Sequence, residues 1–543
     1  MDIIMKKVYS MEINPENWLE HLRDLPSDIQ DYKTCTYLVA LEGWRRGLKL
    51  TFHIRPSIAI GPSAQFSLSN GERTHFFTVS RGDSVSEDAI KICSNKPLTY
   101  QYLAKNNIPI PEGKSFGSDV EDEKIIAYAE KLGFPLVLKP TNASSGRGVI
   151  TDIRTIESFK RSLLDVRHKQ GFQNVIVERF ITGEDYRIYV INNQVVAATR
   201  RTIPSVIGDG EHTIEELIKI KNKIRRKNPF LRFRNIKPNQ DMRAVLKEKS
   251  LTVNSIPEKG ERIFLRRQGV YLSERDPVDI TDEMLDSLKK IAVSAMKSIP
   301  GLTQCAVDML VNEKTGEGYV NEINSRPQIS NHIFPIEGKA RDVPKEIIDF
   351  YFPETVNQYR NEKFYFDFEP VYQAFYSRNV REIVIPDWPK EPQVSRRFRL
   401  SGNLRGVKYD KWIRAHAAKL RLNGYFKHLK NGKTSIVVSG SPENIDKFRN
   451  IITNKAPKNA QVKKIIEKGW DKPIKVGFEF KKSHPKSDFD QLTQTKTEVK
   501  KLQKEIKRLK SLNKKYITEI NSIKSSKSWK LTKPFRNIIN KNK

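Results

Sequence analysis

The sequence contains little cysteine and no long apolar run. Its three cysteines, Cys35, Cys93 and Cys305, lie far apart in 543 residues and lack the close spacing of metal ligands. This pattern excludes a structural zinc site and is typical of a reducing compartment. No segment approaches the roughly 18 apolar residues that cross a bilayer, and the N-terminal stretch has no apolar core of signal-peptide length. We therefore expect a soluble, cytoplasmic protein.

The charge is strongly basic and unevenly distributed. The chain has 97 Lys+Arg against 64 Asp+Glu, a formal net charge of +33, which favours anionic partners such as nucleotides, nucleic acid or acidic membrane. The segment from Lys481 to Lys543 holds 19 of the basic residues and 5 of the acidic ones. The remainder is therefore only moderately basic, and the length of the chain indicates two to four domains.

Hydrophobic patterning predicts an α/β domain after a mixed N-terminal region. Residues 1–92 combine short helical and strand patterns. From Ser94 to Pro353 predicted strands and helices alternate, which is typical of an α/β domain. Within it, one helix is predicted to open with Ser118 and to end at Gly133. The stretch DYRIYVINNQVVAATRR predicts two strands about an Asn-Asn turn.

The stretch FPLVLKPTNASSGRGVI, residues 134–150, joins a predicted strand to a loop of small residues. Lys139 can direct its ammonium group to a nucleotide phosphate, while Gly146 and Gly148 allow backbone N–H groups to approach other phosphate oxygens. The Walker sequence GxxxxGK[ST] does not occur, so this is not a P-loop. Taken alone, the stretch favours a surface turn after an edge strand.

Two further segments supply the acceptors that a nucleotide site needs. In VIVERFITGEDYR an apolar strand precedes Glu178 and Asp185, which can accept from an adenine amino group or a ribose. In CAVDML and GYVNEINSRP, strand alternation places Glu322 and Asn324 on one face, with Asp308 on the preceding strand. Two carboxylates and an amide oxygen suit Mg²⁺ shared with phosphates. Any one of these carboxylates alone would be interpreted as a surface residue at the end of a strand. Their occurrence together and in this order indicates a nucleotide and Mg²⁺ site.

These segments resemble the ATP-grasp superfamily, and most closely the ATP-grasp domain of cyanophycin synthetases. The resemblance extends over about 260 residues and is carried by NKPLTYQYLAKNNIPIPEG, LVLKPTNASSGRGV, VIVERFITGEDYRIYVINNQVVAATRR, VIGDGEHTIEELI, FLRRQGVYLS and AVDML…VNEIN. It implies an ATP- and Mg²⁺-dependent ligase that activates a carboxylate as an acyl phosphate for attack by an amine. Such chemistry depends mainly on positioning and charge neutralisation.

The same resemblance implies roles for individual residues. The expected ligands of the ATP phosphates are Lys96, Lys139 and the loop residues Ser145, Gly146 and Gly148. The residues expected at the adenine and ribose are Glu178, Arg179, Phe180, Ile181 and Asp185. The expected Mg²⁺ ligands are Asp308, Glu322 and Asn324. Arg201 would face the transferred phosphoryl group, so the expected catalytic residues are Arg201 and Lys139.

The sequence departs from cyanophycin synthetases at two places. Those proteins carry an Asn-rich loop with a Gly-Gly pair after two arginines, where this chain has RRQGVYLSERDPVDIT. They also continue into a Mur-ligase-like half, and nothing in this sequence resembles its Walker loop. We therefore do not predict cyanophycin synthesis, and the identity of the carboxylate and the amine stays open.

The segment from Arg397 to Ile466 resembles acylphosphatase in its GNLRGV loop, its LNGYFKHLKNGK hairpin and its APKNAQV ending. That family binds phosphate with an arginine shortly after the loop and orients water with an asparagine in the hairpin. Here those positions hold Asp410 and His428. A carboxylate there would repel phosphate, so we expect no hydrolysis and instead a docking role, although Arg405 is an alternative phosphate ligand. An active acylphosphatase would also destroy the ligase's own intermediate.

The C-terminal segment carries a heptad repeat and then a basic ending. Position a holds Leu492, Val499, Ile506, Asn513 and Ile520, and position d holds Thr495, Leu502, Leu509, Tyr516 and Ile523. A repeat of this length favours a coiled coil over a solvated single helix. The stretch SWKLTKPFR resembles the ending of bacterial surface-polysaccharide glycosyltransferases, which suggests cell-envelope or capsule metabolism.

We therefore predict a multidomain α/β and α+β chain. Its predicted parts are an N-terminal region (1–92), an ATP-grasp domain (93–353), an inactive ferredoxin-like acylphosphatase-type domain (362–480, core 397–466), a coiled coil (487–523) and a basic amphipathic tail (524–543).

The expected function is a carboxylate–amine ligase with ATP and Mg²⁺ as cofactors. The alternative is a non-catalytic ATP-binding scaffold for envelope biosynthesis enzymes. Expected partners are small-molecule or peptide substrates, a second copy of the chain through a parallel coiled coil, and an anionic membrane in peripheral contact. Nucleic acid ranks last, because the sequence shows no aromatic stacking platform beside its lysine-rich helix.

We expect the tail to dimerise the protein and to bind acidic membranes. Two parallel strands are favoured by the β-branched residues at a, Val499, Ile506 and Ile520, and by the leucines at d, Leu502 and Leu509. Asn513 at a central a position would fix the register. The paired endings raise avidity for anionic lipid. Sedimentation of the full chain and of residues 1–485, with and without acidic liposomes, tests this. A monomeric full chain would contradict the coil, and equal liposome binding by the truncated chain would contradict the membrane contact.

Overall fold

The structure is a computed structural model that divides into two compact units. It describes residues 18–23, 32–53, 65–143, 147–266, 274–377, 380–404, 408–429, 431–457 and 459–481, and scattered positions between 503 and 529. The first unit comprises residues 1–392 with 471–476, and the second comprises residues 393–470 with 477–543.

The start of the second unit differs from the predicted domain boundary. The acylphosphatase-type domain is predicted to begin at residue 362, whereas the second unit begins at Gln393. Phe364–Tyr365 forms a parallel strand pair with Ile474–Lys475 inside the first unit. Phe366, which follows that strand, is buried. The boundary lies later because this apolar segment completes the core of the first unit.

The described strands, in chain order, are β1 Lys49–His53, β2 Gln65–Ser69, β3 Thr74–Thr78, β4 Arg81–Gly82, β5 Gly113–Phe116, β6 Leu136–Pro140, β7 Ile150–Ile153, β8 Val175–Arg179, β9 Glu184–Ile191, β10 Gln194–Thr202, β11 Ser205–Ile207, β12 Arg262–Phe264, β13 Asp276–Asp279, β14 Gln304–Asn312, β15 Glu317–Asn324, β16 Phe364–Tyr365, β17 Glu382–Val384, β18 Val394–Asn403, β19 Asn423–His428, β20 Thr434–Gly440, β21 Gln461–Gly469, β22 Ile474–Lys475 and β23 Phe478–Lys481.

The described helices are α1 Glu20–Arg23, α2 Tyr32–Arg45, α3 Glu87–Ser94, α4 Lys96–Lys105, α5 Asp122–Leu132, α6 Ile156–Leu164, α7 Ile214–Lys227, α8 Gln240–Glu248, α9 Asp286–Lys297, α10 Ser330–Ile333, α11 Val343–Tyr351, α12 Glu369–Ser377, α13 Tyr409–Lys419 and α14 Pro442–Asn454.

One local prediction is confirmed, and the start of one helix is corrected. Strands β9 and β10 form a hairpin whose turn residues, Asn192 and Asn193, have positive φ values of 41° and 72°, as a tight two-residue turn requires. Helix α5 ends at Gly133 as predicted, but it begins at Asp122 rather than near Ser118. The later start arises because the preceding residue has an extended backbone, with φ −65° and ψ 147°.

The first unit contains a five-stranded antiparallel sheet with one apolar and one polar face. Its strand order is β13-β10-β9-β14-β15, and successive side chains of a strand point to opposite faces. Ile188 and Val307 lie on the apolar face, in a core that includes Ala292 of α9. Their neighbours in sequence, Arg187 and Asp308, therefore lie on the polar face, where most of the predicted site residues of this sheet belong.

A four-stranded antiparallel sheet, β5-β8-β6-β7, supplies the other predicted site residues. Leu138 of β6 and Val177 of β8 pack against α5 and α6 in a separate core. Alternation turns Lys139 and Glu178 to the opposite face of this sheet. A third sheet, β17-β1-β2-β3-β4, joins the N-terminal region to the segment before the second unit.

The second unit has the element order strand–helix–strand–strand–helix–strand and ends with a fifth strand. Its sheet order is β21-β18-β20-β19-β23. Helices α13 and α14 cover one face, where Phe398, Ile436 and Phe448 form the core. This arrangement agrees with the predicted ferredoxin-like fold.

The predicted coiled coil lies largely outside the described residues. The positions that the structure describes between residues 503 and 522 are helical. Ile506, Leu509 and Ile520 are exposed by 52%, 54% and 49% in the single chain. Among the described helices, none combines the length and the apolar content needed to cross a membrane.

Candidate active site

One cross-strand row of the five-stranded sheet gathers polar residues from every strand. Asp279 of β13 lies opposite Thr199 of β10, which lies opposite Arg187 of β9. Arg187 lies opposite Asp308 of β14, which lies opposite Glu322 of β15. Directly opposed side chains have Cβ atoms about 5 Å apart. Strand register therefore brings together residues that are far apart in the sequence.

Asp308 is held by two arginines. Arg187 donates to both carboxylate oxygens at 2.8 Å, and Arg201 Nη2 lies 3.2 Å from Oδ2. Burial alone would raise the pKa of Asp308, but the two arginines outweigh burial and lower it to about 2. Asp308 is therefore an anion at any physiological pH, although only 5% of its side chain is exposed.

Arg201 is fixed on its other side by Asp185. Its Nη2 lies 2.5 Å from Asp185 Oδ1, and the second oxygen of Asp185 contacts Arg275. Burial alone would lower the pKa of Arg201, but Asp185 and Asp308 raise it above its usual range. The structure thus places two residues with separately predicted roles, Arg201 and Asp185, in one charged cluster with Asp308.

Lys139 lies in a buried network that connects the two sheets. Its ammonium group donates to Glu178 at 2.6 Å, to the hydroxyl of Tyr100 at 3.0 Å and to Asn321 Oδ1 at 3.0 Å. The side chains of Lys139 and Glu178 are only 5% and 3% exposed. A lysine has three N–H donors, so each of them has a partner, and the ammonium group is held in one position.

Four residues of these clusters were not predicted from the sequence: Tyr100, Arg187, Arg275 and Asn321. Tyr100 follows Lys96 by four residues in α4, so both lie on one helical face, and this spacing was a usable signal. Asn321 offered no such signal, because strand alternation turns it away from Glu322. A bulge opposite Asp308 makes Asn321 an extra residue in β15 and redirects its side chain.

Lys96 and Glu322 form the more open side of the site. Lys96 Nζ lies 3.1 Å from Glu322 Oε1, and their side chains are 18% and 36% exposed. Lys96 is the first residue of α4, whereas Glu322 lies at the edge of the five-stranded sheet. A predicted phosphate ligand and a predicted metal ligand are therefore neighbours.

The donor set on β14 and β15 fits Mg²⁺. Asp308 and Glu322 are directly opposed, and Asn324 lies two residues beyond Glu322 on the same face. Carboxylate and amide oxygens are the ligands that hard cations prefer. Mg²⁺ would bind the amide oxygen of Asn324, while the amide nitrogen is buried and has no hydrogen-bond partner among the described residues.

The predicted adenine residues lie at the end of β8 and just after it. Glu178 is buried and paired with Lys139, so its carboxylate is also committed to the phosphate side of the site. Arg179 is exposed and pairs with Glu112 at 2.7 Å. Phe180 and Ile181 are half-buried.

The predicted phosphate loop is described in part. Ser145 and Gly146 lie outside the described residues. Gly148 has a φ of 69°, and a Cβ atom there would lie 2.8 Å from Pro140 Cγ. Glycine is therefore required at position 148 by conformation and space as well as by access to the backbone.

A cluster of ionisable groups outside this site is already charge-paired. Among the described residues, His21, Glu42 and Asp342 are the group whose ligand atoms lie close enough to hold a metal ion. Arg360 lies 3.2 Å from Glu42 and 3.1 Å from Asp342. Arg46 lies 2.8 Å from Glu42. The arginines neutralise both carboxylates, so this cluster serves as an internal ion-pair network.

Asp410 and His428, the residues predicted at the two altered acylphosphatase positions, both lie in the second unit. Asp410 lies in the first turn of α13, after Lys408, which has a φ of 58°. His428 ends β19, and its Nδ1 lies 3.1 Å from the hydroxyl of Thr434. Arg405 lies outside the described residues.

Two family models match the chain. The RimK-like ATP-grasp domain matches residues 93–209, and acylphosphatase matches residues 396–480. The glutathione biosynthesis bifunctional protein GshAB of Clostridium perfringens is 29% identical over 333 residues, which cover 60% of this chain and 41% of the relative. The cyanophycin synthetase of Crocosphaera subtropica is 28% identical over 344 residues, which cover 61% of this chain and 39% of the relative.

A solved structure of a bifunctional glutathione synthetase from Pasteurella multocida is 27% identical. The match covers 53% of this chain and 41% of the chain in the solved structure. Its TM-score is 0.42, which is too low to support a conclusion about the fold. This chain spans about two fifths of the length of the curated relatives that it matches. The activities of those larger proteins therefore do not transfer to it as a whole.

The chain contains an ATP-grasp domain of the RimK-like type, followed by an acylphosphatase-like domain. The predicted resemblance to both families is confirmed. The likeness to GshAB proteins is comparable with the likeness to cyanophycin synthetase, although the sequence analysis identified only the latter.

A buried histidine borders the charged cluster. His332 of α10 is fully buried, and neither ring nitrogen has a hydrogen-bond partner among the described residues. Burial, together with the positive charges of Arg187 and Arg201, lowers its pKa to about 3. The ring is therefore neutral at physiological pH.

We expect acid to destabilise the folded protein through His332. Its pKa is about 3 in the folded chain and about 6.5 in the unfolded chain, so between these values only the unfolded chain binds the proton. Stability is therefore lost as the pH falls below the unfolded value, by about 2 kcal/mol at pH 5. Urea unfolding of the wild type and of His332→Leu at pH 7 and pH 5, with a chelator present, measures the difference.

The control is His168→Leu, because half of the His168 side chain is exposed and its surface ion pair with Asp122 contributes little stability. This variant should lose as much stability between the two pH values as the wild type does. An equally steep loss in His332→Leu would show that His332 does not carry the acid sensitivity.

Proposed function

We propose that the chain is an ADP-forming carboxylate–amine ligase that uses ATP and Mg²⁺ and activates its carboxylate as an acyl phosphate. The observation that carries this proposal is the Lys139 network, which lies between two sheets and in which Lys139, Tyr100 and Glu178 belong to the region (93–209) that matches the ATP-grasp family. A buried lysine with a fixed position is suited to a phosphate group. The adjoining face of β14 and β15 offers oxygen ligands beside it.

In this proposal Lys96 and Lys139 bind the ATP phosphates. The 2.6 Å contact with Glu178 joins two opposite charges, whereas Tyr100 and Asn321 are neutral acceptors of the Lys139 ammonium group. Charged hydrogen bonds are the stronger ones, so an incoming phosphate would displace a neutral partner first. Glu178 then keeps the ammonium group in place while it changes partner.

The cation-binding residues of the proposed site are Asp308, Glu322 and Asn324. A bound Mg²⁺ would neutralise phosphate charge and orient the phosphates for transfer. Arg187 and Arg201 hold Asp308 ionised and in place. Arg201 also carries a permanent positive charge, which would stabilise the phosphoryl group during transfer.

The reaction belongs, in this proposal, to cell-envelope or capsule metabolism. Its support is the C-terminal SWKLTKPFR stretch, which resembles endings of surface-polysaccharide glycosyltransferases. The carboxylate and the amine are best found by measuring ADP release over a panel of amino acids, short peptides and amino-sugar acids. Tight ATP binding without ADP release across the panel would favour the alternative, an ATP-binding scaffold.

Glu322→Ala should abolish substrate-dependent ADP release and leave the fold intact. Its carboxylate is 36% exposed and makes one ion pair with Lys96, so its loss costs little stability but removes a proposed metal ligand. The control is Glu317→Ala, an exposed residue of the same strand, which should retain wild-type turnover. Turnover near the wild-type rate in a folded Glu322→Ala protein would refute the role of Glu322.

Lys139 requires a different experimental design, because its substitution leaves the buried carboxylate of Glu178 without its ion-pair partner. Lys139→Met should lower the free energy of unfolding by about 3–5 kcal/mol, since Glu178 loses its partner in a site with almost no exposure. The double variant Lys139→Met/Glu178→Gln should recover most of that stability but remain without ADP release. Urea unfolding and a coupled ADP assay give the two readouts.

The exposed Lys131→Ala, in the last turn of α5, is the control for both assays. Two results would contradict the proposal for Lys139. One is ADP release by the stable double variant. The other is an unchanged unfolding free energy in Lys139→Met, which would show that the ion pair does not form.

The acylphosphatase-like domain should not hydrolyse acyl phosphates, and we propose that it docks a partner instead. The full chain should release no phosphate from benzoyl phosphate above the uncatalysed rate, because Asp410 and His428 occupy the two working positions. Asp410→Arg/His428→Asn should produce a measurable hydrolysis. Hydrolysis by the unmodified chain would contradict this prediction. If that hydrolysis disappears in Arg405→Ala, Arg405 is the residue that binds the phosphate group.

A further inference from the structure

The sheet of the second unit has a basic face opposite its two helices. The core residues Phe398 and Ile436 turn toward the helices, so their strand neighbours lie on the other face. One row of that face runs Lys468, Arg397, Val437, Tyr425 and Glu479.

The adjacent row of the same face runs Ile466, Arg399, Ser435, Lys427 and Lys481. Lys464 lies opposite Ser401 in the next row. Together these rows hold six basic side chains and one carboxylate, that of Glu479. We call this surface the basic sheet face.

Most of this positive charge is not neutralised. None of Arg399, Lys427, Lys464 and Lys468 forms an ion pair with another described residue, and all but Lys427 are exposed. Lys481 lies 3.5 Å from Glu479. A cluster of cations on one sheet face without counter-charges creates a positive potential that attracts an anionic ligand.

Two aromatic rings lie beside cations of the basic sheet face, and the ammonium group of Lys481 lies 4.3 Å from the centroid of the Tyr425 ring. Trp470 directly follows β21, and its ring centroid is 6.4 Å from that of Tyr425. The guanidinium group of Arg397 lies 5.5 Å from the centroid of the Trp470 ring. Arg397 and Tyr425 flank Val437 of the central strand, which is completely buried.

We infer that the basic sheet face binds single-stranded nucleic acid. Basic side chains at strand spacing can follow a phosphate backbone, and aromatic rings between them offer stacking surfaces for bases. Recognition of single strands on a four-stranded sheet with surface aromatics is an established use of this kind of architecture. The sequence alone showed no aromatic platform, because Tyr425 and Trp470 become neighbours only through the sheet.

The aromatic rings favour nucleic acid over other anions. An acidic peptide or polyphosphate would use the cations but would gain nothing from stacking on Tyr425 and Trp470. An acidic membrane would require apolar side chains that project outward, whereas both rings are half-buried and Ile466, 41% exposed, is the large aliphatic residue that projects there.

The test measures binding of the full chain to a fluorescein-labelled oligo(U) of about 20 nucleotides. Arg399→Glu/Lys427→Glu reverses two charges in one row of the basic sheet face. The matched control, Lys411→Glu/Arg414→Glu, makes the same change in net charge at exposed positions of α13, on the helical face. The basic C-terminal segment is present in all proteins and contributes equally.

We expect the sheet-face variant to bind oligo(U) at least about tenfold more weakly and the control to stay within about twofold. The sheet-face variant should also show a shallower dependence of affinity on salt, because fewer phosphates are neutralised. Tyr425→Leu should weaken binding about fivefold or more through lost stacking. Circular dichroism verifies that each variant is folded.

Three results would overturn the inference. Equal losses in both double variants would assign the binding to net charge alone. Displacement by polyglutamate as effective as by unlabelled oligo(U), with no effect of Tyr425→Leu, would define a general polyanion surface. Loss of binding to phosphatidylserine vesicles in the sheet-face variant, with oligo(U) binding unchanged, would assign the face to a membrane.

Discussion

The first unit depends on one constraint, which is that its central sheet can carry charges on one face only if they are paired. The apolar face is closed by α9, so every ionisable group of the opposite face must find its partner there. Desolvated charges are costly when a partner is missing. In the row from Asp279 to Glu322, each carboxylate has a cationic partner: Arg187 contacts Asp308, Arg341 contacts Asp279, and Lys96 contacts Glu322.

The same pairing prepares the proposed chemistry. Arg187 and Arg201 keep Asp308 ionised in a place where burial would otherwise protonate it. Asp185 and Asp308 keep Arg201 positively charged at a depth where a lone guanidinium would be unfavourable. A site for phosphate and metal needs both signs of charge at close range and in fixed positions. The ion pairs that stabilise the sheet thus also set the electrostatics of the site.

The Lys139 network and the basic sheet face show two different uses of positive charge. Lys139 is buried, has a partner for each N–H group, and is held rigidly, which suits the exact positioning of one phosphate. On the basic sheet face, Arg399, Lys464 and Lys468 are exposed and form no ion pair with another described residue, which suits a long and flexible polyanion. The two arrangements differ because of desolvation. A buried lysine without partners would lose its proton or destabilise the fold, whereas an exposed cation is stabilised by water.

Much of the protein was determined by the sequence itself. Local signals specified the Asn192–Asn193 hairpin and the end of α5, and the order of motifs identified both families. Only the tertiary structure decided that Asp308 faces Arg187, that a bulge turns Asn321 to Lys139, and that Trp470 meets Tyr425. Local conformation follows from neighbouring residues, whereas these contacts depend on the register between distant strands, which no local pattern in a single sequence encodes.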